Sequence, residues 1–529
     1  MTSLSHTTGR RVAAESTSTM VTTAHPLATG AGVEILERGG NAFDAAIAAA
    51  FALDLVEGDQ SSAITGDGFG LFYVAETEDM VTADWSSRTP LSPDLKSQIG
   101  EIADPLGPLG LQAPTGIAGH LGVHERFGSL PLDVVLAPAI RLAENGFPVD
   151  DRLQASIARR ADIFARNPQT AKNFLVGGAA PAVGDIISSP ELGETMRRIA
   201  AGGREVFYRG ELAAAILEFV RDHGGILTQE DLELASQAPI WSKPLHTSYR
   251  GFTVHSVPPA AGGIPLLIAM NMLEGYDLAH MPDAQRHHVM AEVFKVVLAD
   301  MEHYFGDPEF SPIPIDVLLS KEFADERRRQ IALDSVLPWS LPAPGAGGGS
   351  HTSHLNVRDS FGNIAVVTQT RSDWGIKVPV SGAGFFLHNG IRLLSTDPQH
   401  PMYVGVPGKR LQKSIAPTLV TDGAGRPIMA VGAAGVRTIT QTIVQTIIHH
   451  LDLGMDPQAA IDAPRLSYEN RGNKLNTTRI GDDTVADLRA LGHDVLPGGW
   501  GRVQAITMDP ATGVLKGGAD IGGSAEAAS

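Results

Sequence analysis

The chain has 529 residues, a formal net charge of −18, 43% hydrophobic and 19% charged residues, and no cysteine. That balance is ordinary for a globular enzyme with a large core, and the length allows roughly three domains. Disulfides, thiolate catalysis and cysteine metal sites are excluded, and an acidic chain without a basic run is not built for a phosphate backbone.

The opening stretch MTSLSHTTGRRVAAESTSTM has no continuous apolar core, so residues 1–19 are expected to be disordered and not to form a secretory signal. The most apolar segment, AAIAAAFALDLV, is too short to span a bilayer and carries Asp54. A cytoplasmic protein with no membrane contact is the expectation. MVTTA reads as a short strand, followed by a helix from about Pro26 that Gly39-Gly40 stops. The next helix, about Ala42 to Val56, is apolar nearly all round and belongs deep in the fold. FGLFYVA and VTADWS read as buried strands, and from about 120 to 335 the pattern is mostly helical with turns such as VPPAAGG.

LPAPGAGGGSH, residues 341–351, leaves almost nothing to bury and reads as a tether. Beyond it, SHLNVR and NIAVVTQT are strand-like and joined by the turn residues DSFGN. A turn centred on Phe361 places Arg358 opposite Ile364 and Thr352 opposite Thr370. PIMAVGAAG looks like a strand ending in a tight Gly/Ala loop, and RTITQTIVQTIIHHLDLG like a helix closed by Gly454. Helices and strands mixed on both sides of one glycine-rich break give an α/β or α+β enzyme class.

Thr352 raises the chemical question. Two opposed threonines serve β-propensity in many sheets. The other use is catalytic. An internal threonine has no base of its own, but cutting His351–Thr352 would expose an α-amine with a pKa of about 7.7–8.0, suited to general-base work. The loop GAAG, Gly432 to Gly435, would offer backbone N–H groups ahead of a helix N-terminus to a tetrahedral oxyanion, although a plain strand-to-helix turn reads the same way. GDGFG, residues 66–70, lacks dinucleotide spacing and reads as close backbone approach. His287, His288, Asp300, Glu302 and His303 match no zinc spacing, so no metal and no cofactor is expected.

These segments together resemble the γ-glutamyltranspeptidase family of N-terminal-nucleophile hydrolases, from about residue 20 to the C-terminal region. GVEILERGGNAFDAAIAAAFAL, VPPAAGGIPLLIAMNMLEGYDL, VMAEVFKVVLADMEHYFGDPEF and GMDPQAAIDAPRL carry the resemblance, around Thr352-Ser353-His354 in place of Thr-Thr-His. It implies a four-layer αββα sandwich and self-cleavage into a large segment, 1–351, and a small one, 352–529. The two would share one intertwined core as a heterodimer, with further dimerisation left open. It also implies Thr352 as nucleophile, Thr370 as its hydroxyl partner and Ala434 and Gly435 as oxyanion donors, the first with Ala where the family has Gly. His354 falls on a scaffold position.

The substrate positions depart from the family. In DWSSRTP the arginine that grips an α-carboxylate is replaced by Ser86, with Arg88 two residues on, and an Asn becomes Ser372. LHNGIRLL has no carboxylate for a glutamyl ammonium and carries Arg392, and the Ser-Ser pair becomes Lys413-Ser414. An acyl group with an anionic end and no amine fits such a site better, as in glutaryl-type acylases and an oxamate amidohydrolase of the family. The expected protein is a self-processing N-terminal-threonine amidohydrolase acting on a small amide. The alternatives are a true γ-glutamyl transferase or glutathione hydrolase, and a non-catalytic binding protein on the same scaffold.

Overall fold

The computed structural model describes residues 11–102, 104, 106–338, 351–468, 474–499 and 501–528. Residues 1–10, and all of the 341–351 tether except His351, lie outside them.

Two helices open the fold where the residue pattern puts them. In α1 (Pro26–Glu37) the His25 ring accepts from the Leu27 N–H, Pro26 occupies the first turn, and Gly39 beyond the end holds φ +86°. In α2 (Ala42–Val56) Asn41 and Asp44 form a capping box, and all 15 residues are buried.

The sheets are built from strands on both sides of residue 351. The first half supplies β1 (Ala14–Ser16), β2 (Met20–Thr23), β3 (Asp67–Val74), β4 (Asp79–Asp84), β5 (Ile240–Ser242), β6 (Leu245–Tyr249) and β7 (Phe252–Ser256). The second supplies β8 (Ser353–Arg358), β9 (Ile364–Thr370), β10 (Thr418–Thr421) and β11 (Pro427–Ala434). It continues with β12 (Arg502–Met508), β13 (Leu515–Ala519) and β14 (Ser524–Glu526). One seven-stranded sheet runs β1-β13-β12-β11-β10-β7-β6 and the other β14-β2-β8-β9-β3-β4-β5. Every neighbouring pair is antiparallel.

The sheets pack face to face through β8, β9 and β11. Helices α1 and α2 cover the outer face of the β8 sheet, while α3 (Gly263–Leu273) and α5 (Thr438–Leu451) cover the other, with α4 (Asp283–Tyr304) outside α3. This is the four-layer αββα sandwich. Alternation along β8 divides its side chains between layers: Leu355 and Val357 join the core under α2, whereas His354 and Asn356 point between the sheets.

Three expectations need correction. Residues 14–16 are not disordered; they pair with Leu515–Gly517 at a sheet edge. The stretch read as mostly helical contains β5, β6 and β7, which complete both sheets. The GAAG segment is not a loop, because β11 pairs with β12 through Ala434 and the chain turns only at Gly435. Among the described residues no helix is long and apolar enough to cross a membrane.

Candidate active site

The β8–β9 register pairs Ser353 with Gln369 and Arg358 with Ile364, the pairing the turn around Phe361 predicts. Continued by one residue it brings Thr352 to Thr370, with the two Oγ1 atoms 3.3 Å apart. Both hydroxyls donate to the His351 carbonyl, Thr352 at 2.6 Å. The carbonyl of the bond preceding Thr352 is thus polarised by Thr370, next to the hydroxyl that would attack it. Thr352 and Thr370 are only 4% and 8% exposed.

The backbone around Thr352 is held from below. Arg502 of β12 donates to the Thr352 carbonyl at 3.4 Å and to Glu57 at 2.6 Å. Glu57, just past the end of α2, also takes Ser353 Oγ and Arg152. Burial pushes the Glu57 carboxyl up, but Arg152 and Arg502 outweigh it and leave it at about 2.

Thr352 and Thr370 open into a cavity of about 430 Å³, within the usual range for a small-molecule site. One wall, from α4 and α5, is apolar and includes Leu298, Met301, Phe305 and Ile439. A polar wall includes Ser372, Asp373, His388, Arg392, Lys413 and Ser414. The turn VPPAAGG backs this wall: Lys413 N–H donates to Ala260 O at 3.1 Å, and a Cβ on Gly262 would lie 2.5 Å from Ser414 O.

Asp67 organises the polar wall. Its carboxylate binds Lys413 at 2.7 Å, His388 at 3.1 Å and Gln112 at 3.0 Å, and also takes Ser87. Burial raises the Asp67 carboxyl, but Lys413 and His388 outweigh it and hold it well below the usual carboxylate range. With its Nε2–H on Asp67, His388 accepts through Nδ1 from the Ser372 amide at 3.3 Å, with Ser372 Oγ 3.1 Å away. Burial pushes this imidazole down to about 4. Lys413 therefore faces the cavity with its charge already matched.

Other expected positions fall differently. Arg88 is not in this wall; its guanidinium pairs with Glu309 at 2.9 Å and Gly408 O at 2.8 Å beside a separate cavity. Ser86 lies beside that cavity too, hydrogen-bonded to Asp84 at 2.6 Å. Ala434 ends β11 with no positive φ, so its methyl is accommodated, whereas Gly435 has φ +146° and a Cβ there would meet Thr438 Oγ1 at 2.5 Å. Neither lines the cavity, but Val436 and Arg437, immediately after them, do. His354 is fully buried between the sheets, bonded to Thr368 at 2.7 Å and Asn356 at 3.0 Å. Gly66 and Gly68 of GDGFG admit the Thr370 backbone and the Trp85 ring.

The cluster weighed for a metal is dispersed: Asp300 pairs with Arg327 at 2.9 Å, and Glu302 with Arg437 at 2.7 Å and His400 at 3.2 Å. His288 does approach Glu292 and His493. Each of these has protein partners: His288 and His493 bond each other at 2.8 Å, and Glu292 holds Lys295 at 2.8 Å.

Asp67, His388, Glu57, Arg502 and Arg160, the last lining the cavity and paired with Asp373, are site residues that sequence reasoning missed. Only Asp67 left a signal, a charge at the start of an otherwise apolar strand in GDGFG.

A family model described as Gamma-glutamyltranspeptidase matches residues 28–529. The Acylase ACY 1 proenzyme of Pseudomonas sp. (strain V22) is 33% identical over 518 residues, spanning 94% of this chain and 91% of its own. The Glutathione hydrolase proenzyme of Bacillus subtilis (strain 168) is 31% identical over 535 residues, spanning 95% and 89%. Among solved structures, cephalosporin acylase from Bacillus halodurans aligns with a TM-score of 0.89 at 32% identity, covering 100% of this chain and 99% of that one.

Proposed function

The chain belongs to the gamma-glutamyltranspeptidase family and is an amide hydrolase or acyltransferase of the N-terminal-nucleophile type; within that class, we propose that it cleaves itself before Thr352 and hydrolyses a small amide whose acyl group has an anionic end. The observation that carries this proposal is the placement of the Thr352 and Thr370 hydroxyls on the His351 carbonyl at the wall of the cavity. In self-processing, Thr352 Oγ attacks the His351 carbonyl carbon while Thr370 donates to its oxygen. The C–N bond breaks as the C–Oγ bond forms, and the hydroxyl proton passes to the new α-amine. Water then hydrolyses the ester, leaving a carboxylate on His351 and the free Thr352 hydroxyl.

In turnover the α-amine takes the Oγ proton and returns it to the leaving amine, and the oxyanion is assigned to the N–H groups of Ala434 and Gly435 at the end of β11, directly before the cavity-lining Val436. Water releases the acyl group. The two segments stay together as a heterodimer because each contributes strands to both sheets.

γ-Glutamyl transfer is the second reading, favoured by the similarity to glutathione hydrolases. Against it, the two carboxylates that line the cavity among the described residues are engaged: Asp373 by Arg160, and Glu302 by Arg437. A substrate ammonium would have to displace one of those cations.

Intact mass under denaturing conditions tests the core proposal. Wild type is expected to give fragments of about 37 and 19 kDa, the length shares of 55.8 kDa, with the smaller starting at Thr352. Thr352→Ala should stay whole and inactive. A cut or active Thr352→Ala protein would refute the nucleophile, and a wild type that stays whole would favour a binding protein.

A further inference from the structure

Four cationic side chains line the nucleophile's cavity beside its histidines, and three have carboxylates of their own. Lys413 is matched by Asp67 at 2.7 Å, Arg437 by Glu302 at 2.7 Å, and Arg160 by Asp373. The fourth is Arg392, in the short 3₁₀ turn Gly390–Leu393 that follows His388. Among the described residues its guanidinium makes no hydrogen bond and no ion pair, and its Nε is buried without an acceptor. The carboxylate whose field reaches it is that of Asp373. Asp373 already holds Arg160 and, at 3.4 Å, Lys377. One carboxylate therefore serves three cations, and the polar wall carries an uncompensated positive charge.

A guanidinium that has lost much of its water and found no protein acceptor is disfavoured unless an anion joins it. Its planar fork suits a carboxylate held by two parallel hydrogen bonds. We propose that Arg392 receives the far carboxylate of the acyl group, so that the substrates are monoamides of dicarboxylic acids; this rests on the amidohydrolase function proposed above. The acyl part lies along Ser372 and Arg392, which line the cavity together with Thr370, and the leaving amine lies against Leu298, Met301 and Phe305. Lys413, neutralised by Asp67, shapes the wall and does not select the anion.

Three anilide probes separate the possibilities: glutaryl p-nitroanilide, its ω-methyl ester, and 4-butyramidobenzoate, whose acyl part is uncharged and whose carboxylate sits on the amine. Wild type is expected to favour the glutaryl probe over its ester by about tenfold or more in kcat/KM. Arg392→Gln should bring that ratio close to one, chiefly through KM, and Arg392→Lys should retain part of it. Processing into the same two fragments reports that each variant has folded. A preference that survives in Arg392→Gln overturns the Arg392 assignment and leaves the amidohydrolase intact. A preference for the 4-aminobenzoate probe overturns the placement of the acyl part. A processed wild type with no preference for either carboxylate overturns the anionic-acyl proposal itself.

Discussion

At Ser353, one residue past Thr352, the hydroxyl donates to a fully buried carboxylate, Glu57, which two arginines also grip. Because Arg502 reaches both Glu57 and the Thr352 carbonyl, this ion cluster fixes the backbone from which the Thr352 side chain projects. Glu57→Gln keeps the shape and removes the charge, leaving Arg152 and Arg502 facing each other. Breaking a buried pair in this way costs about 3–5 kcal/mol. The expected result is a lower Tm and processing slowed at least tenfold, followed by gel or mass spectrometry; unchanged Tm and processing would remove Glu57 from the positioning of Thr352. No sequence pattern announces such a cluster, since its members lie 445 positions apart along the chain. The residues that were legible, Thr352 and Thr370, are those whose relation is local, fixed by one hairpin register. Lys413 could be placed near the site but not charge-balanced, because its partner Asp67 comes from a distant strand.

Strand β11 shows the same limit at the level of elements. GAAG reads as a loop because small residues are common in turns, yet here they allow the two sheets to approach. A Cβ on Gly432 would sit 2.2 Å from the His354 ring, so the imidazole occupies the space a side chain would need. Gly432→Ala is therefore expected to push β8 and β11 apart and destabilise the protein by about 1–3 kcal/mol. His354→Ala in the same chain should recover part of that loss, because it vacates the clashing volume. Thermal melts of the single and double variants decide it: additive losses would show that Gly432 is needed for some reason other than the ring. The β6–β7 hairpin was illegible for another reason. Its turn is Arg250-Gly251 with φ +49° and +86°, a left-handed pair in which arginine is not the expected residue. Both strands alternate buried and partly exposed positions and carry histidine, threonine and serine, which blurs the apolar signal. Helices α1 and α2 were legible because Pro26 and Gly39-Gly40 bound the first and the second is apolar nearly all round.

Over the whole molecule the net charge of −18 is visible in the composition, but what burial does to individual groups is not, and it sets the response to pH. Six histidines, His120, His255, His354, His388, His449 and His493, are pushed by burial to about 3 or 4 from 6.5. Below pH 6.5 the unfolded chain protonates these rings while the folded chain does not. Stability therefore begins to fall there and continues falling until the folded values are reached. Carboxylates held low in the fold, such as Glu57 at about 2, add a further loss only below their unfolded value of 4.5. Asp54, Asp84, Asp300 and Asp452 are raised by burial and act in the opposite direction, offsetting part of this loss. Between pH 7 and pH 5 the histidines draw stability down, and Tm should fall by up to about 10 °C over that interval. Replacing His493, which lies outside the cavity, with Asn should flatten the slope in this interval, whereas Thr352→Ala should leave it unchanged. A Tm that stays level from pH 7 to pH 5 would mean that these rings are not buried neutral, and would remove the inter-sheet and helix-layer histidines as the source of acid sensitivity.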